Sequence, residues 1–220
     1  MTVKIDQPFG IGDILFISPL VRLFSLQYDK IVWPVIDKYI WIKDYIQIPN
    51  VTFIKQSESV VFDSTIPFKD SLSYVHDAVD CMESKYKLLD ADLNIWRQMY
   101  FDRNYKKENE LRELLDIKPN DEFIFINNNF AEDKYNYKID ISVNTDLRII
   151  KQNYIDGFTL LDWCGVLEQA NEIHTVSTAL FYIIEFLKLD NLHLYPRKPF
   201  DKDLSPIKSL LVNSNWICHE

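Results

Sequence analysis

Two glycines and an aspartate near the start of the chain form a pattern that suits the binding of an anion. Gly10 and Gly12 permit a turn with unusual backbone angles, and Asp13 follows at the start of an apolar helical stretch. A helix that begins at such a turn presents backbone N–H groups and the positive end of its dipole, which attract phosphate. Asp13 has two interpretations. It is either a cap of the helix or a general base at the mouth of a cleft.

A second group of small polar residues follows a predicted strand in the second half of the chain. Ser177, Thr178 and Ala179 stand between strand 173–176 and a helix, where backbone N–H groups are suited to a diphosphate. The alternative is an ordinary Ser/Thr helix cap. Asn128 belongs to a third loop, which follows a strongly apolar strand. Because ligands of open parallel sheets bind outside the carboxyl ends of strands, these loops are candidate binding sites.

The elements that must position these loops alternate between strand and helix along the chain. Apolar β-branched runs predict strands, and apolar residues at helical spacing predict helices. The predicted strands are 3–5, 31–35, 51–54, 60–62, 123–126, 139–141, 147–150, 173–176 and 192–195, and the main predicted helices are 14–24, 37–45, 106–115, 159–170 and 179–187. Such alternation indicates an α/β fold with mostly parallel sheets. A rise in charge near 102–104 predicts a boundary between an N-terminal half, 1–104, and a C-terminal half, 105–220.

The composition argues against several classes of protein. The 220 residues are 47% hydrophobic and carry a formal net charge of −9, which disfavours nucleic-acid binding through phosphate neutralisation. The cysteines, Cys81, Cys164 and Cys218, show neither a metal-binding nor a disulfide pattern and suit a reducing compartment. There is no signal-peptide pattern and no apolar run approaching about 20 residues, so we expect a soluble, cytoplasmic protein.

The first loop and helix resemble those of heptosyltransferase-like glycosyltransferases of the GT-B fold. The resemblance lies in residues 10–22 (GIGDILFISPLVR), which include a proline inside the helix, and in residues 159–170 and 173–187. In that family the second stretch contains a helix, a strand, a small-polar loop and a helix that faces the nucleotide diphosphate. The stretches lie in the expected order, one in each half of this chain.

The resemblance implies two Rossmann-like halves in a compact GT-B arrangement, with acceptor contacts mainly from the first and donor contacts mainly from the second. The implied reaction is a metal-independent, inverting transfer of a sugar from a nucleotide-sugar donor to a glycan or other hydroxyl acceptor. Asp13 matches the catalytic base, Ser177 and Thr178 match the diphosphate loop, and Glu185 matches a carboxylate near the donor ribose. We expect no metal or other cofactor. The remaining candidate donor contacts are Gly10, Gly12, Asn128, Ala179, Tyr182 and Arg197, of which Arg197 is a candidate counter-charge for the leaving group.

Two alternatives concern the loops themselves. Where the family usually has an aspartate, a glycine and a histidine, this chain has Ser177, Ala179 and Tyr182. This departure favours a non-catalytic nucleotide- or glycan-binding module. A nicotinamide-dependent oxidoreductase would explain Gly10 and Gly12, but the third glycine of the dinucleotide fingerprint is missing.

A further alternative depends on a short acidic motif. Asp90 and Asp92 form the D-x-D pattern with which GT-A glycosyltransferases hold a divalent metal, although Asp201 and Asp203 match it equally. Histidines carry little signal in this sequence. His174 is expected in the core of a strand, and the others, His76, His193 and His219, have no partner nearby in sequence.

Overall fold

The computed structural model describes residues 1–7, 10–68, 78–130, 138–197, 204–208, 210–212 and 215–219. The chain divides into two units, Met1–Asp102 and Arg103–Glu220, here named the N-terminal and C-terminal units. Each unit holds one parallel sheet with helices, which confirms the predicted α/β class. Among the described residues, no helix has the length and apolar character needed to span a membrane. The sequence candidates His76, Asp201 and Asp203 lie outside the described residues.

The N-terminal unit is built on four parallel strands in the order β3-β2-β1-β4. Its elements are β1 (Thr2–Ile5), α1 (Ile11–Ser25), β2 (Lys30–Val35), a 3-10 helix (Asp37–Asp44), β3 (Val51–Lys55), β4 (Ser64–Ile66), α2 (Ala78–Lys87) and a 3-10 helix (Leu93–Gln98). The chain runs outward from β1 to β3 and then returns to the other side of β1. The loop after β1 therefore leaves the sheet where the strand order reverses, the usual ligand position in open α/β sheets.

The fourth strand of this unit does not lie where the apolar pattern predicted it. The predicted strand 60–62 is irregular, and Val61 in it is 92% exposed. Pairing with β1 begins instead at Asp63, whose carboxylate accepts from the Thr2 backbone N–H at 2.7 Å, and continues along Ser64–Ile66. The backbone partner, rather than local apolar content, therefore sets the position of this edge strand.

The C-terminal unit contains five parallel strands in the order β6-β5-β7-β8-β9. Its elements are α3 (Tyr105–Leu114), β5 (Phe123–Asn127), β6 (Arg148–Lys151), a 3-10 helix (Leu160–Trp163), α4 (Cys164–Gln169), β7 (Glu172–Val176), α5 (Ala179–Leu187), β8 (Leu192–Tyr195), α6 (Ser205–Lys208) and β9 (Trp216–Cys218). The order reverses between β5 and β7. The loops after these two strands consequently lie at the second candidate ligand position.

Three local predictions for this unit need correction. The predicted strand 139–141 is irregular: an isolated bridge joins Asn129 to Lys138 just before it, and Ile141 packs against the apolar residues of β5 and β7. The predicted helix 159–170 is divided into a 3-10 helix and α4. Strand β9 was not predicted, because three residues beside a parallel neighbour give no periodic signal of their own.

Helices α3 and α4 are joined by a group of charged side chains. Arg103 donates through Nε to Glu108 at 2.9 Å and through Nη1 to Glu168 at 2.6 Å. Glu108 is buried, and its Oε2 lies only 3.1 Å from the position a Cβ would take on Gly165. Gly165 therefore permits the close approach of the two helices. Burial raises the pKa of the neighbouring Cys164 thiol well above its usual value, which leaves it a poor nucleophile.

Candidate active site

The candidate base Asp13 occupies the first turn of α1 and forms an ion pair. The N-cap of α1 is Gly10 and Asp13 lies within the first turn, so Asp13 is not the N-cap residue that one interpretation predicted. Oδ1 of Asp13 instead pairs with the ammonium group of Lys85. The Lys85 side chain is fully buried, whereas that of Asp13 is 26% exposed. The carboxylate therefore faces solvent on one side and a buried cation on the other.

Packing between α1 and α2 brings Lys85 to this position. The neighbouring residue Tyr86 donates its hydroxyl to the Phe16 carbonyl at 2.6 Å, and its ring meets the Phe16 ring edge-on at 5.0 Å. Phe16 also stacks on Trp96 at 5.9 Å. Sequence reasoning missed Lys85 because it lies 72 residues from Asp13, in a stretch without a clear periodic pattern.

The proline inside α1 is accommodated by a neighbouring hydroxyl group. Pro19 has no N–H to donate to the carbonyl of Leu15 one turn earlier. The buried hydroxyl of Ser18 donates to that same Leu15 carbonyl at 2.9 Å. Ser18 thus satisfies the acceptor that Pro19 leaves, and α1 continues to Ser25 as one helix.

The two glycines of the first loop do not adopt the unusual backbone angles that we predicted. Gly10 has φ −65° and ψ 174°, an extended conformation open to any residue, and Gly12 lies within α1. A Cβ placed on Gly10 would meet no atom within 4 Å. Neither strain nor internal packing therefore demands glycine at position 10. Its small size leaves open space beside the start of α1.

The loop after β7 is held by a side-chain network that starts in the adjacent strand. Asn127, the last residue of β5, donates through Nδ2 to Thr175 Oγ1 at 2.9 Å and to Thr178 Oγ1 at 3.1 Å. Thr178 is the N-cap of α5, but its side chain makes no capping hydrogen bond. The prediction of a Ser/Thr cap is therefore correct for the position of Thr178, but Thr178 does not form the hydrogen bond of a cap. The first N–H groups of α5 receive no acceptor from Thr178, a state that favours an external anion.

The other candidate residues near this loop occupy different environments. Ser177 is buried between β7 and α5, while Ala179 and Tyr182 lie in the first turns of α5. Asn128 donates to the Ile139 carbonyl at 3.1 Å and so holds the segment after position 138. Its neighbour Asn127, rather than Asn128, contacts the loop that follows β7.

Glu185 and Arg197 lie further from the start of α5. Oε1 of Glu185 accepts from Trp216 Nε1 at 2.6 Å and from the Val212 N–H at 3.3 Å, so this carboxylate holds the C-terminal segment against α5. Arg197 follows β8 by two residues and is half-buried. The described contacts of Glu185 are thus structural ones, which sequence spacing did not reveal.

Each unit contains an amide side chain, just beyond its first strand, with at least one buried polar atom that has no partner among the described residues. Gln7 follows β1 by two residues, is fully buried, and has no hydrogen-bond partner among the described residues for either Oε1 or Nε2. Asn129 follows β5 by two residues and likewise leaves Oδ1 without a described partner. Buried polar atoms without a partner are costly, so replacing either amide tests whether it is satisfied in the folded chain.

The acidic D-x-D motif has a local structural explanation. Asp92 is the N-cap of the 3-10 helix that begins at Leu93, and its carboxylate accepts from the Asn94 N–H at 2.9 Å. Asp90 precedes it in a left-handed conformation with φ 50°. Among the residues that the structure describes, neither aspartate joins a group of three metal ligands.

Comparison with known proteins identifies the architecture. No protein-family model and no curated sequence matches the chain. A glycosyl transferase family 9 structure from Veillonella parvula DSM 2008 matches with a TM-score of 0.57 and 8% sequence identity, over 88% of this chain and 80% of that chain. The heptosyltransferase TibC of enterotoxigenic E. coli H10407, described as dodecameric and iron-containing and solved with ADP-D-beta-D-heptose, matches with a TM-score of 0.57 and 11% identity, over 99% of this chain and 62% of that chain. The chain has a heptosyltransferase-like glycosyltransferase fold.

The heptosyltransferase-like fold is shared without close sequence similarity. Identities of 8% and 11% establish the fold alone, so they do not transfer a substrate or an activity. The chain spans 62% of the length of TibC, which is less than two thirds. Within this fold, the Asp13–Lys85 pair and the start of α5 each lie at a strand-order reversal of their own sheet.

Proposed function

We propose that this protein is a glycosyltransferase that moves a sugar from a nucleotide-sugar donor to an acceptor hydroxyl. The observation that carries the proposal is the Asp13–Lys85 pair at the start of α1 in a heptosyltransferase-like fold. A partly exposed carboxylate at this position is suited to take a proton from a bound hydroxyl group. The open space beside Gly10 supports a ligand at the same place.

In the proposed reaction Asp13 is the general base. Lys85 engages Oδ1, so Oδ2 is the oxygen that receives the acceptor proton. The acceptor oxygen forms a bond to the anomeric carbon while the bond from that carbon to the diphosphate oxygen breaks. The nucleoside diphosphate leaves with the electron pair of the broken bond. Because attack comes from the face opposite the leaving group, the anomeric centre is inverted. Lys85 acts as a positioning residue for the carboxylate.

The C-terminal unit is the proposed donor site. Its uncapped α5 N-terminus offers backbone N–H groups and a positive dipole end to the diphosphate, and the Asn127 network holds Thr178 in place. Ser177 and Arg197 are further proposed contacts. These groups meet the diphosphate charge without a metal ion. The TibC structure holds ADP-D-beta-D-heptose, so ADP-linked sugars are the first donors to test.

The test has a binding step and a transfer step. Thermal shift with ADP, UDP, GDP, CDP and their sugars, with and without manganese, identifies the nucleotide, since a ligand at 100 times its Kd adds about 2.7 kcal/mol of stability. Release of nucleoside diphosphate in the presence of sugar acceptors then measures transfer. We expect Asp13→Asn to abolish release and to leave donor affinity within about twofold of the wild-type value. The change removes the proton acceptor but keeps the shape of the side chain. Asp44→Asn, in an exposed position, is the matched control.

A non-catalytic binding module of the same fold is the second candidate. It is favoured by the replacement of the family's aspartate, glycine and histidine by Ser177, Ala179 and Tyr182. It is also favoured by Glu185, whose carboxylate holds Trp216. The two candidates separate in one experiment. A nucleotide that stabilises the protein but is never released from its sugar indicates the module, and release that persists in Asp13→Asn contradicts the role of this carboxylate.

A further inference from the structure

A cluster of imidazole and carboxylate groups lies across β7 and β8 of the C-terminal unit. Glu172 and His174 are two residues apart on β7 and therefore point to the same face of the sheet. His193 on β8 is the direct register partner of His174. Sequence reasoning found no partners for these histidines, because their proximity depends on the pairing of two strands that α5 separates in the chain.

The potential ligand atoms of these three side chains converge on one point. His174 Nε2 lies 3.2 Å from Glu172 Oε2, His193 Nε2 lies 4.0 Å from the same oxygen, and all three ligand atoms fall within 4.8 Å of one another. Ligands of a tetrahedral zinc ion, with bonds of about 2.0–2.1 Å, lie roughly 3.3 Å apart. Small side-chain rotations would therefore bring these atoms to metal-binding distances.

The other ring nitrogen of each histidine, Nδ1, lies within hydrogen-bonding distance of a second polar group, as is usual in protein metal sites. His174 Nδ1 lies 3.0 Å from the Tyr195 hydroxyl, and His193 Nδ1 lies 2.9 Å from His219 Nε2. The rings of His174 and His193 are stacked with centroids 4.1 Å apart. Hydrogen bonds to the second nitrogen orient a ligating histidine and are a usual feature of protein metal sites. Both Nε2 atoms are thereby left to face Glu172.

The three side chains of the cluster differ in exposure, from buried His174 to partly exposed Glu172, in a way that suits a metal ion. The His174 side chain is 4% exposed, His193 is 18% exposed and Glu172 is 42% exposed, so an ion can enter from the carboxylate side. Two neutral imidazoles and one carboxylate would leave a bound divalent ion with one net positive charge.

We propose that Glu172, His174 and His193 bind a divalent first-row transition metal, with zinc as the best match. Imidazole-rich sites select zinc, copper, nickel or iron over magnesium and calcium, which prefer oxygen ligands. Three protein ligands leave a fourth tetrahedral position for water. His174 and Thr175 are consecutive on β7, so the metal site lies on the sheet face opposite the Asn127 network. The site is therefore separate from the proposed donor loop, and its binding does not depend on the proposed transferase activity.

Metal binding is tested on the 220-residue protein after removal of bound metals with a chelator. Titration with Co²⁺ should give visible d–d absorption bands of a four-coordinate ion at one equivalent per chain, and Zn²⁺ should displace them. Glu172→Gln and His193→Gln should each weaken binding by at least a hundredfold. Tyr195→Phe should weaken it about 10–100-fold, because it removes only the support of His174. Glu113→Gln, an exposed carboxylate on α3, is the matched control and should bind as the wild type does.

Circular dichroism of each variant, compared with that of the wild type, shows whether the fold is retained. Glu172→Gln is the decisive variant, because its partly exposed side chain can change without disturbing the core. Absence of Co²⁺ bands in the wild type, or equal affinity in the wild type and a folded Glu172→Gln, overturns the proposal. Loss of binding in Glu172→Gln together with retention in Glu113→Gln supports it.

Discussion

Lys85 places its ammonium group against the Asp13 carboxylate, although 72 residues separate them in the chain. The two partners differ in environment, because Lys85 is fully buried and Asp13 is not. Removing the carboxylate would take a negative charge from beside a fully buried cation, whereas removing the cation would leave a carboxylate that water already reaches. The pair therefore predicts unequal costs for changing its two members.

The first prediction concerns this inequality. Asp13→Ala should destabilise the N-terminal unit by about 3–5 kcal/mol, because it removes the carboxylate that faces a fully buried ammonium group. Lys85→Met should cost less than about 1 kcal/mol, because an apolar side chain of similar length fills the same space. Urea unfolding measures both changes. The double variant should recover most of the stability lost in Asp13→Ala, and equal losses in the two single variants would contradict the asymmetry.

The second prediction concerns Ser18 and Pro19 in α1. Ser18→Ala should lower the free energy of unfolding by about 1–3 kcal/mol, because the buried Leu15 carbonyl loses its hydroxyl donor. In a Pro19→Ala background the backbone N–H at position 19 can serve that carbonyl. The loss caused by Ser18→Ala should then fall below about 0.5 kcal/mol, in a double-mutant cycle measured by chemical denaturation. An unchanged loss would show that the hydroxyl does not substitute for the missing N–H.

The third prediction concerns the unpaired amide of Gln7. Gln7→Met should raise the free energy of unfolding of the ligand-free protein by about 1–3 kcal/mol, since it removes two buried polar atoms without described partners. The same change should weaken the binding of the nucleotide sugar or of the acceptor at least tenfold, if that ligand forms hydrogen bonds with the Gln7 amide. Calorimetric titration measures the affinity. A destabilised Gln7→Met protein would show instead that the amide is satisfied within the chain.

The fourth prediction concerns the charged group that joins α3 and α4. Two carboxylates, Glu108 and Glu168, strongly raise the pKa of the Arg103 guanidinium, mainly through hydrogen bonds to Glu108. Arg103→Met should destabilise the C-terminal unit by about 3–5 kcal/mol, because buried Glu108 loses its counter-ion. Lys106→Met breaks the exposed pair with Glu110 and should change stability by less than about 1 kcal/mol. If thermal unfolding showed comparable losses of stability in Arg103→Met and Lys106→Met, burial of Glu108 would not be the cause of the predicted difference.

The sequence by itself determined the fold class and the position of the candidate base. Runs of apolar β-branched and aromatic residues, and apolar stripes at helical spacing, are local properties that persist in the folded chain. They correctly indicated strands at β1, β2, β5, β7 and β8, and they identified α1, α3 and α5 within a few residues. Asp13 directly follows Gly12 and precedes the apolar run, so its place at the start of a helix could be predicted without tertiary information.

Only the tertiary structure decided which side chains meet. Lys85 reaches Asp13, Asn127 reaches Thr178, and His174 reaches His193 because of strand order and helix packing, and none of these pairs is close in the chain. Strand β4 shows the same limit, since pairing with β1 overrode the apolar run before it. The physical reason is that side-chain periodicity is a local property, whereas register and contact depend on partners supplied by distant segments.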